Sequence, residues 1–120
     1  MSDEFRRGVD LFNRREYFEA HQVWEEVWRT AGEDEKKFFE ALIKMAAGLH
    51  LRFNRGAGRG ARNLLVQALL ALEGYRPACL GVDVDRLHAE LSTYTERVEE
   101  QKEREVGWLD RWLAPRIQLL

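Results

Sequence analysis

Apolar residues recur at spacings of three and four along most of the chain, and proline interrupts it only at Pro77 and Pro115. That period is the one an α-helix imposes on its buried face, whereas a half-buried strand alternates at two. Proline is the strongest breaker of a helix interior. A chain with two prolines in 120 residues can therefore stay helical through most of its length. The expectation is an all-α protein without a sheet: a compact bundle of about five helices, built from two antiparallel helical hairpins plus a C-terminal helical tail.

The helices can be placed individually. Phe5, Val9 and Phe12 predict a short helix over about residues 3–13, with Asn13-Arg14-Arg15 as the corner. A second, near 16–31, buries Tyr17, Ala20, Val23, Trp24, Val27 and Trp28 and stops at Gly32, a residue suited to the left-handed helix-end conformation. A third, near 34–54, starts on Glu33-Asp34-Glu35, where acids favour a helix N-terminus, and carries Phe38, Leu42, Met45, Leu49 and Phe53. Gly56, Gly58 and Gly60 loosen the chain before a fourth helix over about 59–74. Residues 75–82 read as a loop, and Asp83 or Asp85 caps a fifth helix marked by Leu87, Leu91, Tyr94 and Val98. Residues 1–98 are thus expected to form one helical domain, and 99–120 a charged helix extension with a Trp-rich tail. Trp108, Leu109, Trp112 and Leu113 give that tail an apolar stripe, which either folds back on the body or forms a protein or dimer surface. Monomer and homodimer both stay open.

A chain of this length hides well over half of its unfolded surface, enough for one core without staples. The single cysteine, Cys79, excludes an internal disulfide, and charges throughout the first thirty residues leave no signal-peptide core. Both point to a reduced, cytoplasmic setting. No window approaches the roughly 20 apolar residues of a membrane span. The net charge of −2 gathers no nucleic acid by itself.

Phe12-Asn13-Arg14 returns 41 positions later as Phe53-Asn54-Arg55, followed in each copy by an alanine, Ala20 or Ala61. Each copy reads as a helical hairpin whose second helix crosses closely at the small residue. The first copy also resembles a tetratricopeptide repeat at Gly8, Ala20, Trp24 and Val27, although two copies are fewer than a solenoid needs. They are expected to act as packing units of a closed bundle.

At about 100° per residue, His21 points close to Tyr17 and Trp28, with Glu25 one turn on at the border of the polar side. His50 projects between Phe39 and Ile43 and is expected to be largely buried. If the second and third helices run antiparallel, both histidines reach the same end. A buried imidazole needs hydrogen-bond partners, so the three groups suggest a network, either structural or a metal or acid–base site. Zinc is the relevant metal, since a catalytic zinc takes three protein ligands such as His, His and Glu. His21, Glu25 and His50 could supply them, although the tight His-Glu-x-x-His signature is missing. Arg52, Arg55, Arg59 and Arg62 crowd a helix N-terminus, a place that suits a phosphate or carboxylate. The glycines among them are not a phosphate loop, because a helix precedes them where a strand is required. Without interleaved exposed aromatics they are no nucleic-acid groove either.

Phe12-Asn13, "EYFEAHQVWEEVWR" (16–29), "ALIKMAAGLH" (41–50) and "RGA" (59–61) resemble the family catalogued as domain of unknown function 309. The resemblance is strong over about residues 8–65 and weaker through "LGVD" (80–83). It implies an all-helical fold, a small bacterial or archaeal cytoplasmic protein, and the label of a predicted metal-dependent hydrolase. His21, Glu25 and Trp28 match the family's first motif and His50 its second. Gln22 stands where the family usually has glutamate, and Lys44 where it often has glutamine.

Three functions follow as expectations. The leading one is a module binding a small anionic ligand or a protein, in a pocket that has His21, Glu25 and His50 at its base and Trp24, Trp28 and the four arginines at its rim. The second is a metal-dependent hydrolase with His21, His50 and Glu25 or Glu26 on a divalent transition metal such as zinc, which activates a water. The third is a structural protein that dimerises through its tail.

Overall fold

The computed structural model describes residues 2–55, 59–101 and 112–120, the side chains of 55 and 99–101 excepted. Trp108, Leu109, Gly56, Gly58 and the side chain of Arg55 lie outside the described residues. Five helices dominate: α1 (Asp3–Asn13), α2 (Tyr17–Arg29), α3 (Glu33–Arg55), α4 (Arg59–Glu73) and α5 (Val84–Gln101). None of them is long and apolar enough to cross a membrane, among the described residues.

Local chemistry sets most of the ends. Ser2 caps α1 by accepting the Phe5 N–H at 3.1 Å, with Asp3 and Glu4 in the positive first turn. Arg15, at φ 67°, occupies the left-handed region after α1, while its N–H donates to Phe12 O. That conformation costs a residue with a Cβ about 1–2 kcal/mol, and this corner spends it on an arginine. Gly32 does not close α2 in the expected left-handed conformation. Its carbonyl instead accepts the Glu35 and Lys36 N–H groups at the start of α3, and Thr30 caps α2. Asp83 Oδ1 takes the Arg86 N–H and starts α5.

Consecutive helices pack against each other. Phe5 meets Trp24 while Phe12 meets Tyr17, so α1 and α2 run antiparallel. Trp28 meets Glu40 while Phe18 meets His50, and the same holds for α2 and α3. Trp24 and Leu65, one echo apart, are both fully buried, each against a glycine of the preceding helix. A Cβ on Gly8 would fall inside the Trp24 indole, and one on Gly48 would stand 2.9 Å from Leu65 Cδ2. The Trp24 N–H is satisfied by Phe5 O at 3.3 Å. Truncating such a residue to alanine typically costs about 3–5 kcal/mol.

Two expectations need correction. A small sheet exists: β1 (Ala78–Cys79) pairs antiparallel with β2 (Val82–Asp83) around Leu80 and Gly81, both at positive φ, the backbone that a two-residue hairpin turn requires. Nor is the described tail mainly helical, since only 112–113 are. From there it runs extended across the body. Asp83 N–H donates to Gln118 O, Leu120 N–H to Gly81 O, and Leu119 bridges Val82. Asn13 clamps the tail from the other side, accepting the Ile117 N–H at 2.8 Å and donating to Ile117 O at 2.9 Å. Pro115 and Ile117 are buried, so over these residues the tail folds back on the body.

Candidate functional site

The antiparallel packing of α2 and α3 brings His21 and His50 to one end, with Phe18 between them. Its ring lies 6.0 Å from His21 and 5.2 Å from His50, centroid to centroid, and is 44% exposed. His50 is half-buried, not largely buried, because this end of α3 opens into a cleft. The cleft, of about 500 Å³, is walled by Tyr17, Phe18, Phe53, His50 and Asn54 and carries the charges of Arg15, Glu16 and Glu19.

Asn54 fixes the proton on His50. Its amide nitrogen lies 2.9 Å from His50 O and 3.0 Å from His50 Nδ1. A carbonyl oxygen only accepts, so the atom facing it is the NH2 group, whose other hydrogen makes Nδ1 an acceptor. The proton of the neutral ring then sits on Nε2, which is a donor. His21 is arranged differently. Its Nε2 lies 2.9 Å from Glu25 Oε1, one helical turn on, so the ring donates that N–H to the carboxylate, and in a neutral ring Nδ1 is then the acceptor.

The two histidines and Glu25 are not brought together as a ligand set. Among the described residues no three His, Cys, Asp or Glu side chains converge to hold a metal ion. Glu25 pairs with His21, while His50 pairs with Asn54, which is not a carboxylate. Glu25 also faces a separate hollow of about 350 Å³ with Trp28, Arg29, Glu40, Ile43 and Lys44. These residues do not fit the three-ligand zinc site the sequence suggested.

The expected rim is redistributed too. Trp24 is fully buried in the core and cannot line a pocket. Trp28 is half-buried in the neighbouring hollow, where its N–H donates to Glu40 Oε1 at 3.2 Å and Lys36 Nζ sits 5.1 Å above its ring. Arg52 is also fully buried and has its interactions within the protein, so it does not face an external anion. It follows Met45 and Leu49 at i+7 and i+3 on the inward stripe of α3, and position outweighs charge there. Arg59 is exposed, Arg62 is half-buried and engaged, and the side chain of Arg55 lies outside the described residues. His88 ties α5 to α4 through Glu73 Oε1 at 3.2 Å. Burial, with a smaller push from Glu35, raises the Cys79 thiol, the opposite of what a nucleophilic thiolate needs.

The sequence reading missed Arg15, Phe18 and Asn54 as cleft residues and treated Tyr17 and Phe53 as core alone. The Phe-Asn-Arg echo was the available signal for Asn54. Phe18 carried none beyond its i, i+3 spacing to His21. Tyr17 closes the floor, with Phe12 at 5.2 Å on one side and Phe53 at 5.6 Å on the other. Burial pushes its hydroxyl up to about 12, against the opposing charges of Arg15 and Arg116.

A five-helix bundle with an aromatic cleft at one end is the class that fold and site define. Residues 5–64, half of the 120-residue chain, match the family described as Domain of unknown function (DUF309), and the chain belongs to that family. An "Uncharacterized protein" of Aquifex aeolicus (strain VF5) is 32% identical over 81 residues, 67% of this chain and 24% of its own length. "Uncharacterized protein YpuF" of Bacillus subtilis (strain 168) is 28% identical over 94 residues, 76% of this chain and 53% of its own. The chain thus spans about a quarter and about half of these two relatives. The family match includes the His50 cleft and stops within α4, before the β-hairpin, α5 and the tail.

Proposed function

We propose that this domain binds a small polar organic ligand in the cleft between the start of α2 and the end of α3. The observation carrying the reading is His50, whose Nε2–H is kept as a donor by Asn54 inside an aromatic-walled cleft of about 500 Å³. Clefts of this size with apolar walls and a few fixed polar groups are the usual form of small-molecule sites. A carboxylate or phosphate on the ligand would face His50 and Arg15, its body would lie against Phe18 and Phe53, and Glu16 and Glu19 favour hydrogen-bond donors at its other end.

A screen of small carboxylates and phosphates, read by NMR at the His50 ring, tests this. Binding that disappears in both His50→Ala and Phe18→Ala, with the fold retained, is the expected result. A compound that binds equally well to His50→Ala, or a screen in which no compound moves the His50 signals, counts against the cleft.

A further inference from the structure

A second recess lies on the far side of Tyr17, and the returning tail builds half of it. It measures about 250 Å³ and is lined by Phe12, Asn13, Arg15 and Tyr17 from the first corner and by Trp112, Ala114, Pro115 and Arg116 from the tail. Its charged lining is two arginines and no acid. In the His50 cleft, by contrast, Arg15 is outnumbered by Glu16 and Glu19.

We infer that this recess is an oxyanion-binding site, in which Arg15 and Arg116 hold the phosphate or carboxylate of a small molecule whose apolar part lies against Phe12 and Trp112. Guanidinium groups pair with such anions through two parallel N–H bonds, so a pair of them on one wall suits that class of ligand. A water molecule occupies about 30 Å³ in the liquid, so the recess takes a phosphate group and only a small organic body.

Three features prepare the site. Arg15 stands at φ 67°, where glycine would be less strained, so this corner keeps a guanidinium at a conformational cost. Arg116 is exposed, and its guanidinium has no ion pair among the described residues, while its backbone N–H is held by Glu90 Oε1 at 3.1 Å. Asn13 spends its amide on the Ile117 backbone and so places Arg116 without needing to touch the ligand, which makes it a positioning residue. Arg15 and Arg116 line the recess together, one from the first corner and one from the tail. The recess shares Arg15 and Tyr17 with the His50 cleft, and its own occupancy is read at Arg116, which does not line that cleft.

Inorganic phosphate and acetate, titrated separately at constant ionic strength into the whole chain, test the site by NMR of arginine side-chain N–H groups and of the Ile117 amide. Saturable shifts at Arg15, Arg116 and Ile117 are expected for at least one anion, and the tighter of the two shows whether the site prefers phosphate or carboxylate. Arg116→Gln is expected to weaken that binding by about 10- to 100-fold, the loss of one charge-assisted pair. Arg29→Gln, at an exposed pair with Glu26 on α2 and outside the recess, is expected to leave it unchanged. Shifts that grow without saturation, equal shifts at Arg29 and Arg59, or undiminished affinity in Arg116→Gln would each overturn the site. Unchanged amide signals of α1 to α5 in Arg116→Gln check that loss of binding is not loss of the fold.

Discussion

Phe12-Asn13-Arg14 and Phe53-Asn54-Arg55 are the same three residues at two helix ends, and the fold uses them in opposite ways. Both phenylalanines pack on Tyr17. Asn13 reaches outward across 104 positions of sequence and binds the backbone of Ile117 as another strand would. Asn54 turns back one helical turn on its own chain and holds the carbonyl and ring of His50. The repeated sequence therefore specifies how a hairpin packs, while the neighbour that arrives decides what its asparagine does. At the first corner the tail arrives and leaves a recess with two arginines. At the second, Asn54 is exposed among the described residues, and a cleft lies open beside a histidine.

Tyr17 is the wall that both corners share, and it gives the largest expected effect. Its hydroxyl ionises at about 12 in the folded protein, against an ordinary value of 10.0, because burial disfavours the phenolate. The folded value is the higher one. Stability from the neutral tyrosine is therefore complete below pH 10 and is lost as pH rises toward 12. The full loss is about 3 kcal/mol. Urea unfolding of the wild type and of Tyr17→Phe should diverge over this range, with the wild type falling faster. Parallel curves would mean that the hydroxyl is hydrated and the two corners are not sealed from each other.

The two asparagines provide the next test. Asn13→Ala leaves the part-buried Ile117 N–H and C=O without their side-chain partner, a loss of about 2 kcal/mol. It should also release the tail, seen as faster hydrogen exchange at Ile117 and Leu120. The chemically identical change Asn54→Ala touches only an exposed amide and should stay within about 0.5 kcal/mol. Equal costs at the two positions would erase the distinction between them.

The same contrast explains what could be read in the sequence. The helices, the inward Trp24 and the meeting of His21 with His50 at one end follow from a 3.6-residue period and short connections, which are local. The β-hairpin escaped because strands of two residues carry no period. Arg52 escaped because its charge argued for the surface while its place one turn after Leu49 pointed inward. The Asn13 clamp depends on a tail more than a hundred residues away, and no local pattern encodes that pairing. Arg15 and Arg116, likewise distant in sequence, come to line one recess because that clamp and the pairing with β2 hold the tail there.

The smallest effect is the most specific to the second corner. With Asn54 in place, its N–H occupies Nδ1 of His50, and a proton on that nitrogen would set two donors against each other. Neutral His50 should therefore be a single tautomer, protonated at Nε2, identified by its two ring nitrogen shifts. Asn54→Ala removes the constraint and should give a mixture of tautomers while the unfolding midpoint hardly moves. If the cleft binds a ligand acceptor through Nε2–H, affinity should fall by about the fraction of rings that lose that proton, a factor of two for an even mixture. A wild-type ring already in both forms would show that Asn54 does not set the donor, and the two corners would then differ only in whether a tail covers them.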